Sequence, residues 1–339
     1  MKAYQISKPD KLYEMNLNEI PDPEIGPDDV LINMKAWSLN YRDLSMLRGG
    51  YYRNDKVKTN PPLIPLSDGS GEVLSIGENV TRFKKGDRVA GIFFQTWLDG
   101  DLTNDQIGSA LGGALDGVLA EKVVLNENGL VKIPDNLSYE EGATLPCAAV
   151  TAWQALMLDP VKKGDVILML GTGGVSIFAL QFAKAAGATT IITSSSDDKL
   201  EKAKELGADH TINYKENPDW EKEVLKITNG EGVDNVIEVG GPGTLEKSIT
   251  STKVSGRISL IGVLSGQPEQ NPSPVMIMLK RLTMQGIYVG SREMFESMNK
   301  TIEKNGIKPV IGKSFDFNDA AEAFEYLKSG SHFGKIVIS

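Results

Sequence analysis

The sequence predicts an α/β chain of two domains, a mostly antiparallel β domain and a doubly wound parallel sheet. Three observations predict it. Over residues 1–147, short apolar–polar alternations are broken by Gly, Pro and Asp, as in half-buried strands joined by turns. From residue 148, apolar strands alternate with amphipathic helices at regular spacing. Between the first such strand and its helix lies a glycine-rich turn, Gly171–Ser176. The 339 residues suffice for two cores. The expected boundaries are 1–147 with 292–339 for one domain and 148–291 for the other.

In the first half the expected strands are Val30–Met34, Gly71–Ile76, Arg88–Ile92 and Ala120–Val124. In the second, Val166–Leu170 is a continuous apolar run, as a strand covered on both faces requires. Val175–Ala186 is helical, with Val175, Phe178, Ala179, Phe182 and Ala186 on one face and Gly187 as its stop. Strand Thr189–Thr193, helix Asp197–Leu206, strand Thr211–Tyr214 and helix Trp220–Thr228 follow. Strands Val233–Val239, Arg257–Gly262 and Leu282–Val289 complete the sheet. Two helices, Phe295–Asn305 and Asp319–Lys328, and a last strand, Lys335–Ile338, are too little for a core of their own. This tail is expected to return to the N-terminal β domain.

Charge and composition exclude several classes. A net charge of −9 disfavours a nucleic-acid partner, which needs a basic face. One cysteine excludes an internal disulfide framework and fits a reducing, cytoplasmic location. The opening Met1-Lys2-Ala3-Tyr4-Gln5 has no apolar stretch of a secretory signal, and no run of 18 apolar residues suggests a membrane span.

Gly171-Thr172-Gly173-Gly174-Val175-Ser176 follows a buried strand and opens a helix. In that context glycines let the backbone approach a pyrophosphate, and the helix N-terminus offers N–H groups and positive dipole to it. Serine replaces the third glycine of the usual fingerprint. At the end of the second strand, an NAD enzyme usually carries Asp or Glu for the ribose hydroxyls. Here the residues are Thr193-Ser194-Ser195-Ser196, with Lys199 one turn later. Hydroxyls and an ammonium suit a 2′-phosphate, so NADP is expected in preference to NAD. Against this, Ser196 can be a plain helix cap and Lys199 a solvated charge, and Asp197 and Asp198 stand near enough to reach a ribose.

Metal donors are scarce. The chain has two histidines, His210 and His332, far apart, and Cys147 alone. A four-cysteine site is excluded by count; carboxylates such as Asp68 could join Cys147 at a metal, but no catalytic zinc is expected.

Several segments jointly carry a family likeness. They are Asn40-Tyr41-Arg42-Asp43, Pro65–Val73, Gly86-Asp87-Arg88-Val89, Leu145-Pro146-Cys147-Ala148, the Gly171–Ser176 turn and the closing Phe333-Gly334-Lys335. With them the chain resembles the medium-chain dehydrogenase/reductase superfamily over essentially its whole length. Where zinc enzymes of that superfamily carry catalytic Cys, His and Cys, the matching positions are Asn40, Ser67 and Cys147. The chain therefore looks like the zinc-free, quinone oxidoreductase-like branch. That resemblance implies a GroES-like catalytic domain, a Rossmann domain with a cleft between them, and a homodimer. It implies hydride transfer from the nicotinamide to a quinone or an α,β-unsaturated carbonyl. It also implies that Asn40 and Asp43 lie beside the nicotinamide, that Ser195 or Ser196, Lys199 and Tyr214 meet a 2′-phosphate, and that Arg281 reaches the cleft. The family's substrate-facing tyrosine falls on Ser45 or Met46, with Tyr51 and Tyr52 shortly after. Without a metal, the expected donors to the forming oxyanion are Asn40, Tyr51 or Tyr52, and Arg281. A zinc-free alcohol dehydrogenase, an alkenal double-bond reductase and a non-catalytic NADPH-binding protein are the other readings.

Overall fold

The structure, a computed structural model, describes residues 1–7, 14–48, 62–265 and 272–339. In chain order its strands are β1 (Lys2–Ser7), β2 (Glu14–Glu19), β3 (Asp29–Ser38), β4 (Asp68–Ile76), β5 (Arg88–Gly91), β6 (Lys122–Asn126) and β7 (Leu130–Lys132). Then come β8 (Val166–Met169), β9 (Thr189–Ser194), β10 (His210–Asn213), β11 (Val233–Glu238), β12 (Thr252–Leu260) and β13 (Thr283–Gly286). The chain closes with β14 (Ile311–Phe315) and β15 (Lys335–Ile338). It divides into two compact units, Met1–Val150 with Val289–Ser339, and Thr151–Tyr288.

In the first unit, the main sheet runs β14-β15-β3-β4-β5-β7, with β6 also on β3, while β1 and β2 pair separately. Every pairing is antiparallel except β14 with β15. Alternation explains the core. Along β3, Val30, Ile32, Met34 and Ala36 point inward. Val30, Ile32 and Met34 meet Val73, Val89, Leu119, Leu130 and Ile338 in one cluster, and Ala36 packs with Ala143 and Val337. The tail packs on this unit. Its last strand inserts beside β3, and Ala320, Ala323, Phe324 and Leu327 of helix Ala320–Ser329 join the same core.

In the second unit, six strands lie in the order β10-β9-β8-β11-β12-β13, all parallel. The reversal of direction beside β8 makes a topological switch point, where open α/β sheets bind ligands at their carboxyl ends. The buried runs Ile167–Met169, Ile191–Ile192 and Val236–Ile237 form its middle layer. Helix Gly174–Ala185 covers the sheet with Phe178, Ala179, Phe182 and Ala183. The final strand, Thr283–Gly286, is shorter than the apolar pattern over Leu282–Val289 suggests, although Ile287 N–H still donates to Leu260 O at 2.8 Å. Among the described residues, no helix is long and apolar enough to cross a membrane.

Candidate active site

The glycine turn follows β8 directly. Gly171 has φ +73°, a conformation that costs a side-chain-bearing residue free energy, and its N–H donates to Thr193 Oγ1 at 3.2 Å. Gly173 is extended and precedes helix Gly174–Ala185. The helix's first N–H groups, from Gly174 to Ser176, have no intrahelical acceptor and face the turn. Ser176, in place of a third glycine, is buried and donates its hydroxyl to Leu170 O at 2.7 Å. The departure from the fingerprint thus ties helix to strand.

The neighbouring strand ends carry the expected ribose-side residues. Ser194 ends β9 opposite Asn213 of β10, and Tyr214 N–H donates to Ser194 O at 3.0 Å. Ser195 and Ser196 are partly exposed, and Tyr214 is exposed. Ser196 precedes helix Asp197–Glu205, but its hydroxyl caps no helical N–H. Lys199 sits in that helix's first turn, where partial burial and Lys202 hold its ammonium below the ordinary lysine range. Asp197 accepts from Asn213 Nδ2 at 2.7 Å. Gly171, Thr172, Gly173, Gly174, Val175, Ser195, Ser196 and Tyr214 therefore share the carboxyl end of the parallel sheet, with Lys199 beside them. Arg281 does not. It has φ +51° two residues before β13, whose Thr283 is level with Arg257, Asn235 and Ile167, the last of these one residue into β8. That is the amino end of the sheet, opposite the glycine turn.

Glu238, which sequence reasoning overlooked, is fully buried at the end of β11. Its Oε1 accepts from the N–H groups of Gly240 and Gly241, at 2.7 and 2.8 Å, and from Thr244 Oγ1 at 2.7 Å. Ser248 donates to its other oxygen. One carboxylate shapes the loop on the same sheet end as Gly171.

The first unit gathers a second constellation. Ser38, ending β3, is opposite Asp68 of β4 on one side and Val337 of β15 on the other. The strands thereby bring Asn40, Asp68 and Lys335 together. Asn40 precedes helix Tyr41–Leu47, and its backbone N–H donates to Asp43 Oδ2 at 2.7 Å. Asp43 N–H donates back to Asn40 O at 3.0 Å. Lys335, 3% exposed, donates to Leu39 O at 2.7 Å and to Asn40 Oδ1 at 2.6 Å, and lies 3.7 Å from Asp68 Oδ2. Asp68, fully buried, accepts from Ser67 Oγ at 2.7 Å and from Cys147 N–H at 3.3 Å. Cys147 lies in a single wide helical turn, Leu145–Ala149, and burial, with Asp68 next, pushes its thiol well up. Asn40 Nδ2 is buried and has no hydrogen-bond partner among the described residues. Tyr51 and Tyr52 lie outside the described residues. Among those described, no group of three or more His, Cys, Asp or Glu is placed to hold a metal ion.

Asp43 is an internal carboxyl rather than a surface one. Burial raises it from 3.8 to about 6, opposed by Arg42, whose Nη1 lies 3.9 Å from Asp43 Oδ1. The native state thus holds this proton more tightly than the unfolded chain does. The associated stabilisation is complete below about pH 4 and is lost as pH rises through about 6. Asp43→Asn should remove that slope. In denaturant titrations from about pH 4.5 to 7.5, the parent should lose about 2 kcal/mol more than the variant. Equal losses in both proteins would show that this carboxyl is not the group responsible.

Comparison with known proteins follows the same two parts. Residues 26–135 match the alcohol dehydrogenase GroES-like domain family and residues 174–304 the zinc-binding dehydrogenase family. A zinc-type alcohol dehydrogenase-like protein of Schizosaccharomyces pombe is 48% identical over 94% of this chain and 93% of its own length. An acryloyl-coenzyme A reductase of Sulfurisphaera tokodaii is 31% identical over 100% of this chain and 99% of its own. The crystal structure of a putative alcohol dehydrogenase from Sinorhizobium meliloti superposes with a TM-score of 0.92 at 41% identity, covering 100% of this chain and 98% of that one. With a parallel nucleotide-binding sheet, an antiparallel unit around Asn40 and likeness along both, the chain belongs to the medium-chain dehydrogenase/reductase superfamily.

Proposed function

We propose that this oxidoreductase uses NADPH to reduce quinones or α,β-unsaturated carbonyls and works without zinc. The observation that carries the reading is the buried Asn40 Nδ2, without a hydrogen-bond partner among the described residues, at a position matching a zinc ligand of the metal-dependent relatives. When bound, NADPH supplies the hydride. Negative charge then builds on the acceptor's carbonyl oxygen, and a fixed N–H donor there lowers the barrier. Asn40 Nδ2 is that donor. Asp43 holds the Asn40 backbone and does not itself meet the acceptor.

The donor set around Asn40 suits a metal ion poorly. A lysine ammonium already binds the Asn40 amide oxygen, and the Ser67 hydroxyl donates to Asp68. An alcohol dehydrogenase is the second reading, suggested by the names of the Schizosaccharomyces and Sinorhizobium proteins. It needs a base for a hydroxyl with a pKa of about 16. The buried Asp43, tied to Asn40 N–H, is a poor one. The acryloyl-coenzyme A reductase name favours an activated double bond.

Cofactor choice rests on the hydroxyls of Ser195 and Ser196, the Tyr214 phenol and Lys199, with Asp197 engaged by Asn213. Assembly rests on the β13 edge. Beside it, helix Pro274–Leu279 leaves Met278 66% and Leu279 64% exposed. An unpaired edge next to apolar surface favours pairing with a second copy across a two-fold axis.

Rates across a panel of quinones, enones and simple alcohols test the reaction. NADPH oxidation with quinones or enones should far exceed alcohol oxidation with NADP⁺, and metal analysis should find well below one zinc per chain. Brisk alcohol oxidation alone, or a zinc whose removal abolishes activity, would overturn the reading. Lys199→Ala should weaken NADPH binding roughly tenfold to a hundredfold and spare NADH; equal loss of both would reject the 2′-phosphate assignment. Light scattering at micromolar concentration should give twice the chain mass, and a monomer would refute the edge pairing.

A further inference from the structure

We propose that Lys335 is a positioning residue for this reaction. By holding Asn40 Oδ1, its ammonium fixes the amide so that Nδ2 is the group offered to the acceptor oxygen. The inference rests on the reductase reading above and adds a residue to it.

A primary amide presents a carbonyl on one side and an NH2 on the other, and little but hydrogen bonding separates the two rotamers. A lysine ammonium removes the ambiguity, because it has donors only. Set 2.6 Å from Oδ1, it would meet donor with donor if the amide turned over. Lys335 cannot readily turn aside. It is buried, donates also to Leu39 O, and is drawn by the Asp68 carboxylate. Asp68 is itself fixed by Ser67 and Cys147. The amide's base is pinned through Asp43. Every other polar contact of Asn40 is thus satisfied, and the one left over among the described residues is a buried donor. Folds rarely carry such an atom without a use for it. The charge on Lys335 also polarises the amide, which strengthens Nδ2 as a donor where negative charge appears.

The test uses the full-length protein with Lys335→Met. The variant Lys335→Met/Asp68→Asn accompanies it, because the single change strands a buried carboxylate and can fail to fold. The first readout needs no turnover. In asparagine-labelled protein, the side-chain NH2 signals of Asn40, identified by their loss in Asn40→Ala, should shift and broaden when Lys335 is replaced. The second is kinetic. The neutral double variant should lose roughly tenfold to a hundredfold in kcat toward an enone, with NADPH Kd changed less than about twofold. Adding Asn40→Ala to it should cause no further loss, because both changes remove one donor. Unchanged amide signals, or kcat losses that multiply, would overturn the link between Lys335 and Asn40 and leave the reductase reading intact. A parent protein inactive on every quinone and enone would instead sink that reading, and with it the use assigned to Nδ2, whatever the amide signals do.

Discussion

A lysine ammonium inside a β domain is tolerable only when acceptors surround it, and the first unit is arranged to supply them. Taking such a charge out of water costs several kcal/mol, recovered only through good geometry and full hydrogen bonding. Lys335 finds a backbone carbonyl, an amide oxygen and a carboxylate. Each comes from a neighbouring strand or its end. β15 must therefore lie beside β3, and β3 beside β4, in one register. Gly334 just before it has φ +68°, and a Cβ there would come 2.3 Å from Val310 O. Leu66 just before Ser67 also has positive φ, +69°. Glycine meets this demand without strain at 334, whereas Leu66 carries backbone strain beside the same cluster.

The parallel unit solves a different problem, that of presenting backbone N–H groups to an anion. Its devices are side chains holding a turn open. Thr193 holds Gly171 from the next strand, Ser176 holds the helix to Leu170, and Glu238 gathers the loop beyond β11.

How far the sequence could be read depends on the range of the signal. Periodicity acts between near neighbours, so Gly174–Ala185, Asp197–Glu205 and Lys335–Ile338 were legible almost to the residue. Short helices were not. Tyr41–Leu47 has seven residues and a buried aspartate in its first turn, and Leu245–Ser251 starts beside a buried glutamate. Both lack an apolar stripe long enough to see. The nucleotide end was legible because its residues follow consecutive strands. Arg281 failed for the complementary reason, since a residue just before a strand lies at the opposite end of a parallel sheet from one just after it. Lys335 was visible as part of a closing motif, but its partner Asn40 is 295 positions away. No local pattern joins them, and only the pairing of β15 with β3 does.

On the proposed reading, exchanging a metal for this lysine changes what the site can do. A zinc ion binds an oxygen directly and lowers the pKa of a bound hydroxyl, which serves oxidation of alcohols and reduction of carbonyls alike. An ammonium already committed to Leu39 O, Asn40 Oδ1 and Asp68 has no such vacancy. Its field reaches a substrate only through the amide it holds. That arrangement offers hydrogen-bond donation to an oxygen as it gains charge, but no assistance in stripping a proton from a neutral alcohol. The asymmetry favours acceptors that are electrophilic before they bind. Cys147 fits the same logic. With its backbone N–H given to Asp68, it contributes to the cluster through the main chain. The polar groups that would otherwise ligate a cation have been turned toward holding one that is part of the chain.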